Sequence, residues 1–358
     1  MSSARMVFGC VLSVVMAGGF VTGGTAAGAP GQQITVTSTL DLAAVDPLSG
    51  ECRTASGVCT LRAAVQAANA RPGSTIVVPE GVYRLTIAPN GWLTNGPLID
   101  PQTGDLAITA PTTIHGAGRD KTTIAGTGLD RLILTAADAE ITDLTLTGGV
   151  SAQHEIPFYS TGGGAIANNA DLTLSRVRIA GNRAGYGGGV FNIPTSDMHM
   201  TDSVVEGNIA GSAGGIRCDS TCTIVDSVIR GNRAENPGEW WRPGGFAGHG
   251  GGIDVKGIGS VTVIRTVIVD NFASDNGGGL NIAAGYLDTL PDGVSDSAGI
   301  SVTTVHLDGS TIARNTIGAG LNNCNAEFSA IVSDGANTSD DSSCGLTRSD
   351  DHIGPYPD

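Results

Sequence analysis

Short apolar stretches with alternating apolar and polar residues recur along this chain, and most end at an asparagine. The clearest copy is LTLSRVRIAGNRAGYGGGV, residues 172–190, with apolar residues at Leu172, Leu174, Val177 and Ile179. It is followed by related copies that begin at residues 198, 222, 261 and 305, and a weaker copy spans residues 139–149. Short strands at a regular spacing, separated by Asn and Gly turns, indicate a β-solenoid, in which each repeat buries its apolar side against its neighbours.

The distance between asparagines sets the size of one coil. Asn182 to Asn208 and Asn208 to Asn232 each correspond to one coil, enough for about three short strands at about 3.3 Å per residue. Asparagine tolerates a left-handed turn, and its amide can bond to its copies in adjacent coils. We therefore predict a ladder with a spacing of about 4.8 Å, formed by Asn182, Asn208, Asn232, Asn271 and Asn315. The copy at 139–149 has Gly149 at this position.

The period changes near the N-terminus, between Cys59 and Ala70. There the apolar residues Leu61, Ala64 and Val65 fall at helical spacing, and Thr60 is placed to cap the first turn. A short amphipathic α-helix is one way to cover the open end of a solenoid. We expect an N-terminal strand and capping helix over 28–74 and a parallel β-helix over 75–358.

The first 27 residues have the features of a secretory signal peptide, with Arg5 before an apolar run and small residues before Gly28. Beyond residue 30, no stretch is long and apolar enough to span a bilayer. An even number of cysteines in an exported chain favours disulfides over a metal site. The cysteines beyond the signal fall into local pairs, namely Cys52 with Cys59, Cys218 with Cys222, and Cys324 with Cys344. We expect a secreted, extracellular monomer.

Composition narrows the choice of partners. The 358 residues include 54 glycines, which fits turn-rich coils, and only 4% of residues are aromatic. The net charge of −15 argues against nucleic acid or an anionic membrane as a partner, and against unaided binding of acidic polysaccharides.

The N-terminal motif Cys59-Thr60-Leu61-Arg62-Ala63-Ala64, followed by Ala67-Ala68-Asn69 and Thr75-Ile76-Val77-Val78-Pro79, is similar to that of a known family. It resembles secreted bacterial right-handed β-helix proteins of the pectate-lyase-like superfamily, named for a Cys-Ser-Leu-Arg-Glu-Ala cap. Here Thr60 replaces the serine and Ala63 the glutamate. The resemblance implies an all-β, right-handed parallel β-helix, a single-stranded β-solenoid with a short N-terminal capping α-helix. It does not indicate a reaction.

Three insertions interrupt the repeat, at residues 150–161, 233–249 and 284–299. The first two enter at the same point of the coil, so we expect them on one side of the solenoid, three coils or about 14 Å apart. The third enters elsewhere on the circumference. Loops on one face of a repeat array commonly carry the binding function.

The first two insertions concentrate aromatic and charged residues in a chain that has few aromatics. Aromatic faces beside a few polar groups suit the apolar faces of sugar rings. We therefore predict a polysaccharide-binding site formed by Glu155, Tyr159, Glu239, Trp240, Trp241 and Arg242. The alternative is that the tryptophans pack flat against the solenoid wall.

The candidates for catalysis are less specific. A column of residues lies six positions before the ladder, namely Asp143, Arg176, Asp202, Asp226, Arg265 and Gly309. Asp202 and Asp226 would be neighbours, able to act in retaining glycoside hydrolysis or to hold calcium. The alternative is a surface salt-bridge column. His249, between two glycines, is a further candidate or simply a turn residue.

The sequence thus predicts a secreted β-helix protein that engages extracellular polysaccharide. Cleavage, by a polysaccharide lyase or glycoside hydrolase, stays open. The alternative is a non-catalytic structural or adhesive surface protein. We expect no cofactor and no resident metal, with calcium the one exception named above.

Overall fold

The computed structural model describes residues 31–90, 101–151, 162–235, 248–256, 260–283, 303–318, 320–326 and 330–356. Within these ranges the chain forms short β-strands and one α-helix. The strands form four sheets, here called I to IV, in which strands of successive coils lie side by side. Strand pairing is parallel, apart from one antiparallel pair between Thr316–Ile317 and Gly320–Leu321. The predicted right-handed parallel β-helix is confirmed.

A complete coil passes through the four sheets in order. One example runs through Leu172–Ser175, Arg178–Ala180, Arg183–Tyr186 and Val190–Asn192. The estimate of about three strands per coil is therefore wrong for this part of the chain. The additional strand, Arg183–Tyr186 in this coil, directly follows the ladder asparagine in a segment that resembles a polar link in the sequence.

The strand bounds follow by sheet. Sheet I comprises Gln33–Thr35, Ser74–Val78, Thr112–Gly116, Ala139–Thr142, Leu172–Ser175, Met198–Thr201, Cys222–Val225, Ser260–Ile264, Thr304–Asp308 and Ala330–Gly335. Sheet II comprises Gly81–Leu85, Thr122–Gly126, Thr145–Thr147, Arg178–Ala180, Val204–Glu206, Val228–Arg230, Val267–Val269, Thr311–Ala313, Thr338–Ser339 and His352–Ile353. Sheet III comprises Arg183–Tyr186, Ile209–Ser212, Arg233–Ala234, Phe272–Ala273, Thr316–Ile317 and Gly320–Leu321. Sheet IV comprises Leu106–Ile108, Ile133–Thr135, Ile166–Asn168, Val190–Asn192, Ile216–Cys218, Ile253–Val255, Leu280–Ile282 and Cys324–Ala326.

The core consists of columns of apolar side chains, one from each coil. In sheet I, Leu174 pairs with Ile141 on one side and with Met200 on the other, and all three side chains are fully buried. Because alternate residues of a strand face opposite sides, a slip by one residue would expose the whole column. Burial therefore fixes the register of each coil on the next.

The ladder asparagines lie inside the solenoid at the turn between sheets II and III. The amide Nδ2 of Asn208 donates to Oδ1 of Asn232 at 3.0 Å, and Oδ1 of Asn208 accepts from Nδ2 of Asn182 at 2.9 Å. The ladder continues beyond Asn315 to Asn323, which the repeat pattern does not include. The left-handed conformation belongs to the residue before each asparagine, such as Gly207 with φ of 61°.

The α-helix spans Leu61–Asn69, close to the predicted bounds, and Oγ1 of Thr60 accepts a hydrogen bond from the Ala63 N–H at 3.1 Å. Its apolar residues belong to the same core as the first coils. The buried side chain of Arg62 anchors it through an ion pair with Asp41 at 2.7 Å. Among the described residues, no helix is long and apolar enough to cross a membrane. The disulfides are Cys52–Cys59, Cys218–Cys222 and Cys324–Cys344, the pairs expected from the sequence.

Candidate functional site

The residues predicted to bind polysaccharide lie outside the described residues. This holds for Glu155, Tyr159, Glu239, Trp240, Trp241 and Arg242, and also for the third insertion, 284–299. Their proposed contacts with sugar therefore stay predictions. The start of the first insertion, residues 150–151, and both ends of the second, residues 233–235 and 248–249, are described, and they locate both insertions on the solenoid.

Both insertions start and end next to sheet III. At the start of the first insertion, the Ser151 N–H donates to the Arg183 carbonyl at 2.9 Å. At the end of the second, the Gly248 N–H donates to the Gly211 carbonyl at 3.1 Å. Val150 pairs with Arg183, Arg183 with Ile209, and Ile209 with Arg233. Val150 and Arg233 therefore occupy the same position of the coil, three coils apart. The two insertions are thus about 14 Å apart along the axis.

The outward side of sheet III between and beside these ends is here called the insertion face. On it, Arg183 is exposed, and the guanidinium of Arg233 lies over the Phe272 ring, 4.4 Å from its centroid. Arg233 also pairs with Glu235 at 2.7 Å, and this hydrogen bond lowers the pKa of Glu235. An aromatic ring beside charged groups that can bond hydroxyls is the type of surface expected of a sugar-binding site.

Next to this face, sheet IV carries charged residues that are buried on its outward side. Ile216 and Cys218 belong to the core, so Arg217 between them points away from it. Arg217 is nevertheless only 2% exposed, and Asp254, its partner on the next coil, is completely buried. Because burying charges is costly, such a cluster indicates either a precise structural role or a functional one.

The buried cluster is fully hydrogen-bonded. Nη1 of Arg217 lies 2.8 Å from Oδ2 of Asp254, and its Nε pairs with Oδ1 of Asp219. The hydroxyl of Ser212 donates to Oδ2 of Asp254 at 2.9 Å, and Nδ2 of Asn281 donates to Oδ1 at 2.6 Å. The disulfide Cys218–Cys222 closes the short turn that holds Asp219 in place.

The two carboxylates of this cluster have opposite pKa shifts. Burial raises the pKa of Asp219, and Arg217 only partly offsets the effect. Burial would also raise the pKa of Asp254, but Arg217, Lys256 and the hydrogen bonds to its oxygens outweigh it and hold that pKa below its usual value. Opposite shifts are typical of acid–base pairs. However, Asp219 is 5% exposed and Asp254 is 0% exposed, so neither faces an open site.

This cluster was not predicted from the sequence. The signal is present in the register, because Ile216-Arg217-Cys218 and Ile253-Asp254-Val255 place opposite charges at the same position of successive coils. The repeat pattern predicts that alternate, outward residues of a strand are exposed, so it does not distinguish these covered positions of sheet IV from ordinary surface charges.

The carboxylates predicted at that turn each have an arginine partner. Asp226 lies 2.7 Å from Nε of Arg265, and Asp202 lies 3.4 Å from Nη2 of Arg119. Both aspartates are more than half exposed and adopt positive φ. The hydrogen bond from Arg265 lowers the pKa of Asp226, which disfavours a role as a general acid. These contacts are those of a surface salt-bridge column.

His249 is the last residue of the second insertion and lies within the described part of the chain. Its Nε2 lies 3.4 Å from Oδ2 of Asp275, and its side chain is 16% exposed. Gly248 before it adopts a φ of 59°, so the histidine stands in a turn. Among the described residues, no group of three His, Cys, Asp or Glu side chains is arranged to hold a metal ion.

Several solved structures are similar to this chain at low identity. A pectin methylesterase from Erwinia chrysanthemi has a TM-score of 0.45 and 11% identity, over 90% of this chain and 92% of that chain. The A-module of a mannuronan C-5 epimerase from Azotobacter vinelandii has a TM-score of 0.38 and 18% identity, over 78% of this chain and 83% of that chain. A rice weevil pectin methyl esterase has a TM-score of 0.35 and 13% identity, over 82% and 91%.

No protein-family profile matches the sequence, and no curated protein sequence matches it. At these identities and TM-scores, the similar structures assign no role to any residue and no activity to this chain.

Proposed function

We propose that this protein is exported and binds an extracellular polysaccharide on the insertion face. The observation that supports the proposal is the attachment of the first two insertions to one sheet, three coils apart. They border an interval of about 14 Å, long enough for a few sugar rings. The three disulfides fit an oxidising, extracellular environment.

The chemistry of the insertion face also suits a saccharide. Phe272, one coil beyond the interval, offers an apolar ring, while Arg183, Arg233 and Glu235 can bond to hydroxyl groups. In this proposal, Tyr159 and the tryptophans of the second insertion add stacking surfaces from either side. Affinity then depends on aromatic area more than on charge, so binding should persist in added salt.

The experiment is a glycan screen with the full chain and with a Trp240→Ala, Trp241→Ala double variant. The variant should lose binding while unfolding at the same denaturant concentration as wild type, because the insertion lies outside the repeat. His199→Ala, at an exposed site on sheet I, is the matched control and should bind normally. A double variant that binds as wild type would contradict the proposal. Binding to surfaces stripped of glycan would favour the structural or adhesive alternative.

Cleavage of the bound glycan, by a lyase or a hydrolase, is a second candidate carried over from the sequence. We place it after binding, because Asp219 and Asp254, the carboxylates with opposite pKa shifts, are both buried and face no open site. Reducing-end and unsaturated-product assays on each bound glycan test it. If product forms with wild type and is abolished in Asp254→Asn while binding persists, the protein is an enzyme. If wild type binds and forms no product, cleavage is rejected.

A further inference from the structure

A closed loop, residues 38–58, covers the N-terminal end of the solenoid and is here called the end loop. It starts after Gln33–Thr35, the edge strand of sheet I, and ends just before the capping helix. The two ends of the loop are joined, because the Thr37 N–H donates to the Cys59 carbonyl at 2.8 Å. The disulfide Cys52–Cys59 adds a covalent link at the same place. The end loop is therefore tied at its base.

The inner side of the end loop is bonded to the helix and to the first coil. The side chain of Asp41 is 2% exposed and pairs with Arg62 at 2.7 Å. Its Oδ2 also accepts a hydrogen bond from the Thr86 N–H at 2.7 Å. Further along the loop, the Ala44 N–H donates to Oε1 of Gln66 at 2.6 Å. These contacts fix which side of the loop faces the protein and which side faces solvent.

The outer side of the end loop presents apolar side chains to solvent. Eight large apolar residues are exposed among the described residues, and five of them lie at this end, namely Leu40, Leu42, Val45, Leu48 and Val82. Leu48 is 88% exposed. Val82 belongs to Gly81–Leu85, the edge strand of sheet II, and the side chain of Thr39 lies next to Gly81. Single exposed apolar residues are common, but a cluster of them marks an interaction surface. This surface is here called the apolar end.

The apolar end also differs in charge from the rest of the chain. Residues 31–90 contain four acidic residues and four arginines, so their net charge is zero. Residues 91–358 contain 30 acidic and 14 basic residues, which gives a net charge of −16. Two copies of this chain therefore repel each other over most of their surface. At physiological salt, charges more than about 8 Å away are largely screened, so two neutral ends can approach each other.

The opposite end of the solenoid has a different character. Leu321 and Ile353 are exposed there, by 54% and 47%, but residues 330–356 contain five aspartates and one arginine. Two such ends would repel each other. A contact between the apolar end of one copy and the acidic end of the next would place apolar side chains against carboxylates. It would also be open-ended, because a head-to-tail contact that does not close continues into a filament.

We propose that a second copy of this chain docks on the apolar end, with the two N-terminal ends facing each other around a two-fold axis. In such an isologous contact the same patch is used on both copies, so Leu40 and Leu48 are removed from water twice. Exposed groups of both signs at the rim, such as Glu80 and Arg84, can pair across the axis. The protein is then a dimer, in place of the monomer that the sequence predicts. The insertion face begins several coils away and is not part of this contact.

The test is sedimentation equilibrium of the exported protein over about 1 μM to 1 mM, combined with small-angle X-ray scattering. The mass should rise from monomer to dimer and no further. The longest dimension should roughly double, because the ten strands of sheet I extend over about 45 Å at about 4.8 Å per strand. A side-by-side dimer would keep the length of the monomer and would overturn the proposal.

Substitutions at the two ends locate the contact. A Leu40→Gln, Leu48→Gln double variant should raise the dissociation constant by about 100-fold or more, because each substitution occurs twice in the dimer. Leu48→Gln alone, at a site that is 88% exposed, should raise it by about 10-fold or more without changing the urea midpoint of unfolding. The matched control is Leu321→Gln, Ile353→Gln at the opposite end, which should dimerise normally.

Several outcomes would overturn the proposal. Growth beyond the dimer that either pair of substitutions abolishes would show a head-to-tail contact. A monomer at every concentration, or a dimer that the double leucine variant leaves unchanged, would show that the apolar end does not bind a second copy. Flotation with phosphatidylcholine vesicles that requires Leu40 and Leu48 would assign this end to a lipid surface instead. The Trp240→Ala, Trp241→Ala variant should dimerise as wild type, so this proposal and the glycan site can fail independently.

Discussion

Replacing Asn208 by alanine tests the ladder where it is completely enclosed. Asn208 is 0% exposed, and its Oδ1 accepts from both the backbone N–H and Nδ2 of Asn182, each at 2.9 Å. Its Nδ2 donates to the Ile179 carbonyl and to Oδ1 of Asn232, each at 3.0 Å. Alanine removes these four hydrogen bonds and leaves their partners inside the solenoid.

The cost follows from what each partner retains. Nδ2 of Asn182 keeps its bond to the Leu146 carbonyl, and Oδ1 of Asn232 keeps the bond from the Asn208 backbone N–H. The backbone N–H of Asn182 loses its acceptor, which costs about 1–3 kcal/mol, and each of the other lost bonds costs about 0.5–1.5 kcal/mol. We expect the free energy of unfolding to fall by about 3–7 kcal/mol.

Equilibrium urea unfolding, followed by far-ultraviolet circular dichroism, measures this loss. The control is Asn169→Ala, at an exposed position just after the sheet IV strand Ile166–Asn168, which should change stability by less than about 0.5 kcal/mol. A loss below about 1 kcal/mol for Asn208→Ala, with an unchanged dependence on urea, would refute the proposed energetic role of the ladder.

Three further predictions concern stability. Replacing Cys324 and Cys344 by alanine should cost about 2–5 kcal/mol, as measured by the same unfolding assay; mass mapping that found both thiols free in secreted wild type would contradict it. Asp254→Asn should cost about 3 kcal/mol or more and Asp219→Asn less, because burial already disfavours the charged form of Asp219; equal losses would contradict this difference. Stability should fall as the pH drops below about 4. Carboxylates whose pKa is lowered by folding, such as Glu206, stabilise the fold at pH values above their pKa in the unfolded chain. This stabilisation is lost as the pH falls through their pKa in the folded protein. Unfolding midpoints between pH 3 and 7 check the sign, and Glu206→Gln should flatten the curve.

Much of the fold could be predicted from the sequence because the same repeat determines both the strands within a coil and the stacking of one coil on the next. Leu172 and Leu174 alternate as a strand requires, and the next coil repeats the same positions, so local pattern and stacking agree. The strand after Asn182 was missed for a physical reason. Its residues Arg183–Tyr186 are held by pairing with adjacent coils, and their composition, which includes glycine and alanine, gives little intrinsic preference for a strand.

The candidate site could be located but not assembled from the sequence. Counting positions within the repeat placed both insertions on one side, because each coil repeats the same path. It also places Arg217 and Asp254 at the same position of successive coils, but it could not show that these outward charges are buried, which depends on what covers sheet IV. Nor could it show that Glu206 pairs with two arginines, since Arg178 and Arg230 occupy different positions in their strands.

The attachment of both insertions to one stack of coils also restricts how this protein can change over evolutionary time. Their separation is a whole number of coils, so it can grow or shrink only in steps of about 4.8 Å. A point mutation cannot adjust it by a fraction of that length, whereas deletion of one complete repeat, residues 198–221, would join Asp197 to Cys222 with the strands still in register. The number of coils between the two insertions can therefore change only by whole repeats. Related proteins that bind shorter or longer ligands would differ by one or more complete repeats.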